Sequence, residues 1–179
     1  MRPRQFVPEK ECLSCDGCCR YSQKQTVWAP LFLFNEIVEL TTKNIVPCSL
    51  FTHANARCGE AARVNLIEAD GQFICPCFDQ GANKCKIYAY RPFDCSLYPF
   101  LLARKGGQAY LAVDENCPYI KKTSVASAAS AAKDMSEHIQ YLVEFFASED
   151  VIKAVKDDPR IVQEYPHGVH SLALLPKLI

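Results

Sequence analysis

The sequence predicts an α+β fold: small β-hairpins and cysteine-rich loops around one or more metal centres, packed against helices that include a C-terminal helical region. Three observations lead there. Four cysteines fall within eight residues, Cys12, Cys15, Cys18 and Cys19. Short apolar segments flank turn signals at Asp70-Gly71 and Gly106-Gly107. Apolar residues recur at helical spacing in two stretches, one near residues 30–42 and one beyond residue 123.

Each element follows in turn. Residues 1–25 are polar and cysteine-rich and read as a loop whose order comes from a ligand. Pro30 stands where a helix would open, since proline suits the first turn. Leu33, Ile37 and Leu40, with Phe34 and Val38 beside them, give that helix an apolar face. Residues 43–60 are irregular, broken by Pro47 and Gly59. Residues 64–68 and 72–75 form a hairpin closed by Asp70-Gly71. A second hairpin runs from Leu97 to Ala103 and from Gln108 to Val113. Past Thr123 an Ala/Ser-rich stretch leads into a helix with Met135, Ile139, Leu142, Val143 and Phe146 on one face. Ser148 is placed to cap a short helix carrying Val151, Ile152 and Val155, and Asp157-Asp158-Pro159 stops it. Residues 159–179 form a tail with little periodicity. We expect a single domain over 1–179, with a cysteine-cluster region at 12–118 and a helical region at 123–158.

Composition narrows the function. Twenty basic and twenty acidic residues cancel, so the net charge makes no case for nucleic acid. No apolar run approaches the ~20 residues of a membrane span. The first residues lack an apolar signal core, so a cytoplasmic location is expected. In a reducing compartment, clustered cysteines bind metal or do catalysis more often than they form disulfides. The count of eleven is also odd.

Thiols two residues apart can turn onto one centre, and Cys12-x-x-Cys15-x-x-Cys18 repeats that spacing as iron–sulfur loops do. Gly17 lets the backbone wrap. Adjacent side chains diverge, so either one of Cys18 and Cys19 is a spare or they belong to two centres, and two centres is the reading favoured. Further thiols follow at Cys75, Cys77, Cys85, Cys95 and Cys117. One grouping is Cys12, Cys15, Cys18 and Cys117, with Cys19, Cys77, Cys85 and Cys95 as the second site. All-cysteine ligation at irregular spacing suits one or two 4Fe-4S clusters, and zinc is the alternative. Arg91, Tyr88 and Tyr98 are candidate cofactor-binding residues: the arginine beside sulfur, the tyrosines as apolar cover. Cys48 and Cys58 have no partner spacing and read as free thiols. His167 and His170 read as surface residues.

The order Cys12-x-x-Cys15-x-x-Cys18-Cys19, a Cys-x-Phe segment, Cys85-x-Ile-Tyr88, Arg91-Pro92-x-x-Cys95, Leu-Tyr-Pro-Phe100 and Cys117-Pro118 resembles the cysteine-cluster proteins described as zinc- or iron-chelating. Cys75 and Cys77 compete for the Cys-x-Phe position, and the eight-residue spacing to Cys85 favours Cys77. Ser96 stands where that pattern usually has arginine. The resemblance implies a metal centre. A related domain occurs in flagellin lysine methylases, so it also makes methyl transfer from S-adenosylmethionine conceivable.

Three classes of function remain open. One is a metal-binding protein in electron transfer, or an accessory subunit of a larger enzyme or redox complex, with a structural zinc protein as its variant. Another is a methylase-like enzyme, and the third is a thiol sensor or metal chaperone whose cysteines exchange ions or change oxidation state. The chain has no glycine-rich phosphate or dinucleotide loop and no convincing nucleophile–base pair.

Overall fold

The computed structural model describes residues 2–51, 61–125, 129–156 and 160–178. The fold is α+β, with small antiparallel sheets and a C-terminal helical region. The chain divides into two compact units. Residues 8–96 form one of them, which carries most of the cysteines. Residues 1–7 and 97–179 form the other, so the boundary falls inside the 12–118 stretch.

The 8–96 unit begins with a short helix, α1 (Glu9–Leu13), and strand β1 (Arg20–Tyr21). Strand β2 (Leu31–Phe32) precedes helix α2 (Phe34–Thr42). Here the structure corrects the sequence reading: Pro30 opens no helix. Leu31 and Phe32 pair antiparallel with Arg63 and Ala62 of β3 (Ala62–Arg63). That long-range pairing holds the pair extended, and α2 starts at Phe34, where the Glu36 side chain reaches back to the Leu33 N–H. Ile37 and Leu40 are buried as expected, but Phe34 and Val38 stand exposed on the other side of α2.

The first hairpin is β4 (Ile67–Ala69) and β5 (Gln72–Ile74), closed by Asp70 and Gly71, both at positive φ as its tight turn demands. Val64 lies outside it and bridges Phe51 instead. On its far side β5 pairs with β1, Arg20 opposite Ile74. A further hairpin, β6 (Phe78–Asp79) with β7 (Lys84–Cys85), sets Phe78 opposite Cys85. Helix α3 (Phe93–Leu97) closes the unit. Its core gathers Phe32, Ile37, Leu40, Phe51, Val64 and Phe78 around Cys75 and Cys77. The Phe32 and Phe51 rings meet edge to face at 5.1 Å.

The other unit is more regular. Strands β8 (Phe100–Lys105) and β9 (Gln108–Asp114) form the second hairpin, joined through Gly106 and Gly107, both at positive φ. Leu97 falls in α3, so β8 begins three residues later than the sequence suggests. Phe100, Leu101, Leu102 and Ala103 are all buried. Successive strand residues face opposite ways, so an unbroken buried run means both faces of the sheet are covered. The expected tail supplies the third strand: β10 (Val169–Leu174) pairs antiparallel with β9 along the sheet edge.

Among the described residues, three helices complete this unit: α4 (Pro118–Val125), α5 (Ala129–Ala147) and α6 (Glu149–Lys156). Along α5, His138, Leu142 and Phe146 recur every four residues and form the buried stripe. Met135, Ile139 and Val143, expected on that stripe, are only half buried. In α6, Val151 and Val155 are buried, and the Ser148 carbonyl accepts the Ile152 N–H at the helix start. The stop signal at Asp157-Asp158-Pro159 lies outside the described residues. No helix among the described residues is long and apolar enough to cross a membrane.

Candidate metal centre

Hairpin pairing brings cysteines together that the sequence keeps apart. Strand β1 lies beside β5, and the Cys75 N–H donates to the Cys19 carbonyl at 2.9 Å. A tight turn follows, with the Phe78 N–H on the Cys75 carbonyl at 2.9 Å, so Cys75 and Cys77 sit on one bend. The β6–β7 hairpin then returns the chain, and the Lys86 N–H donates to the Cys77 carbonyl at 2.8 Å. At the N-terminal end, Cys12 closes α1. The loop after it is cinched by the Gly17 N–H on the Cys15 sulfur at 3.4 Å and by the Cys19 N–H on the Asp16 carbonyl at 2.9 Å.

The thiols register one another electrostatically. Cys95 is pushed well up by loss of water, then by Asp94, Cys18, Cys75 and Cys85. Cys85 is raised by the same loss of water, with Cys75 and Cys18 adding to it. Cys12 is raised to about 11 by burial and by Cys18, against the pull of Arg91. In the adjacent pair a thiol–thiol hydrogen bond dominates: it lowers Cys18 and raises Cys19. Cys75 is raised well above its usual value by its hydrogen bond to Cys77 and by burial. Cys12, Cys15, Cys18, Cys19, Cys75, Cys77, Cys85 and Cys95 thus share one unit and are all free thiols. Among the described residues no group of three or more His, Cys, Asp or Glu side chains is arranged to hold a metal ion.

Two side chains from the sequence reading sit beside these sulfurs. The Arg91 Nη1 donates to the Cys12 sulfur at 3.4 Å, and its guanidinium lies 4.0 Å from the centre of the Tyr88 ring. Arg91 is therefore a positive charge braced on an aromatic face and directed at a thiol. Tyr98 belongs to the other unit, where its hydroxyl donates to Asp114 at 2.8 Å. Cys117 also belongs there, buried just before α4, with its N–H on the Asp114 carbonyl. Cys48 is exposed. His167 and His170 are exposed as expected, and Cys58 and His53 lie outside the described residues.

Sequence reasoning missed two members of this neighbourhood. Cys75 was passed over for Cys77, because chain spacing does not register the β1–β5 pairing. Tyr21 was not singled out. Its hydroxyl donates to the Cys18 carbonyl at 2.6 Å, and its titration is held well up by burial and then by Cys18, Cys75, Cys95 and Cys19. Its only sequence signal is an aromatic two residues after the cysteine run.

The donor chemistry fits a soft metal or an iron–sulfur cluster. Thiolates are the ligands of both, and one nearby guanidinium offsets part of their negative charge. Cys12, Cys19, Cys75, Cys85 and Cys95 are all held above the usual thiol value, so binding them as thiolates would release protons. Comparison with protein-family models, with curated proteins and with solved structures finds no match for this chain.

Proposed function

We propose that the 8–96 unit is a thiolate site for an iron–sulfur cluster and that the protein serves electron transfer, alone or as an accessory subunit of a larger enzyme. One observation carries this reading. The β1–β5 and β6–β7 pairings set the segments of Cys19, Cys75, Cys77 and Cys85 side by side, and Arg91, four residues before Cys95, reaches the Cys12 sulfur, all within a single unit. A structural role alone rarely needs so many reduced thiols, which oxidise unless occupied. The resemblance to the zinc- or iron-chelating cysteine-cluster proteins points the same way.

A cluster bound there would supply one-electron redox chemistry. The chain's own residues do the rest. Arg91 offsets thiolate charge at Cys12, Tyr21 and Tyr88 provide aromatic cover, and the β1–β5 and β6–β7 pairings place the backbones of Cys19, Cys75, Cys77 and Cys85. Zinc remains the second reading, favoured by the C-x-x-C spacing from Cys12 to Cys18.

Metal and acid-labile sulfide content of protein purified without oxygen tests this. Brown protein with iron and sulfide in equal amounts supports the cluster, and eight irons per chain would indicate two. Colourless protein with stoichiometric zinc and no sulfide selects the zinc reading. Protein with neither metal, whose thiols all react freely, overturns both.

A further inference from the structure

Cys95 rides on α3, a helix of barely more than one turn with little intrinsic stability. Something else must hold it, and two carboxylates do. Glu36 in α2 is only 5 % exposed and makes two bonds with its two oxygens. Oε2 accepts the Leu33 N–H at 3.0 Å, and Oε1 accepts the Phe93 N–H at 2.7 Å. One side chain therefore serves the starts of α2 and α3 together, satisfying donors that helix starts leave unmet. Asp94, next to Cys95, reaches the opposite way and accepts the Leu31 N–H at 3.0 Å. The traffic is reciprocal: α2 sends a carboxylate to α3, and α3 sends one to β2.

From this crossed pair we propose that Glu36 and Asp94 are positioning residues for Cys95, fixing the direction of its side chain within the unit that also holds Cys18, Cys75 and Cys85. Its purpose rests on reading those thiols as a metal site. Glu36 comes from outside every cysteine segment. Asp94 occupies one of the two unspecified positions between Arg91-Pro92 and Cys95. Cys95 gains a fixed direction without a long helix. Charged acceptors on backbone N–H groups are the stronger class of hydrogen bond, which suits this task.

The test is cysteine-by-cysteine alkylation of the reduced, metal-free full-length chain with iodoacetamide, read by peptide mass spectrometry. Glu36→Gln turns one of two acceptors into a donor facing an N–H, and Asp94→Ala removes its acceptor. Each should speed alkylation of Cys95 about tenfold relative to Cys77. Asp94→Asn keeps the one oxygen needed but removes the charge that raises Cys95, so its ratio should fall between wild type and Asp94→Ala. Leu40→Ala, which destabilises α2 through a cavity, should leave the ratio unchanged. An unchanged Cys95 rate in Asp94→Ala overturns the proposal. So does an equal rise at Cys77, a selective rise in Leu40→Ala, or an Asp94→Asn ratio as high as that of Asp94→Ala. If Glu36→Gln does not fold, the two Asp94 variants decide alone. Zinc uptake by the wild-type chain is measured separately, so the metal reading and the positioning reading can fail independently.

Discussion

The two units solve the same problem with different means. The unit of residues 1–7 and 97–179 has a hairpin of six- and seven-residue strands, a nineteen-residue helix and a third strand along its sheet edge. Its interior is filled by Phe100, Leu102, Leu111, Leu142 and Phe146. The 8–96 unit has strands of two or three residues and helices of five and nine. It sets thiols and buried carboxylates among its apolar side chains. Regular elements pack by area, and area suffices where the strands are long. Short elements leave more of their order to specific bonds. The 8–96 unit is therefore the one whose stability should depend on a ligand.

The widest separation between the two should come from Cys15→Ala or Cys95→Ala. We expect loss of metal and a drop in stability of the 8–96 unit of about 4 kcal/mol where metal stands at a thousand times its Kd. Amide protons in β8 and β9 should stay protected. Hydrogen exchange read by mass spectrometry checks this, and equal loss of protection in both units breaks the comparison.

The converse is Phe146→Ala, which empties a site only 1 % exposed. It should cost the second unit about 3–5 kcal/mol while metal content per chain holds at the wild-type value. Elemental analysis beside thermal denaturation reads both.

A smaller effect is expected of Arg91→Gln. Without the guanidinium the Cys12 thiol should rise further, and zinc affinity in a chelator competition should fall about tenfold. Arg91→Lys, which keeps the charge but not the braced planar group, should fall between the two.

The two units should also differ in how they answer pH. His138 is buried among Phe6, Phe100 and Tyr141 and is held down to about 4 by burial and by Arg4. Its folded value lies below the ordinary one, so the unfolded chain binds the extra proton. The stability it confers is present above about pH 6.5 and is lost as pH falls towards 4, amounting to about 1–3 kcal/mol. Cys12 is raised, so the metal-free 8–96 unit should instead lose stability as pH rises from about 9 through 11. Denaturation of the metal-free chain across both ranges, with His138→Phe as a control for the acid limb, sharpens the contrast or removes it.

What the sequence made legible follows the range of the forces involved. Both hairpins were readable, because Asp70-Gly71 and Gly106-Gly107 carry their turn preference locally. The place where α6 starts was readable too, but the Ser148 hydroxyl donates back to the Phe145 carbonyl and does not cap the helix. Pro30 misled because the pairing of Leu31 with Arg63 is long-range and outweighs a local helix signal. Strand β10 was invisible because its edge position leaves His170 and Ser171 exposed, so no apolar alternation marks it. His138 hid on its stripe because a histidine does not count as apolar. Most of the thiols that share the 8–96 unit were singled out by type and spacing. Cys75, Tyr21 and Glu36 were not, since each earns its place through a partner distant in the chain or a backbone bond.

The order of the chain has one last consequence. Phe6 nestles against Phe100, Tyr119 and His138, yet the whole 8–96 unit intervenes before the first of those rings. The opening strap leaves the ribosome long before the surface it fits exists. Seating it means closing a large loop, and the entropy of that closure falls as the intervening stretch becomes compact. The strap should therefore seat against Phe100 at lowest cost once the thiol-bearing stretch between them is compact.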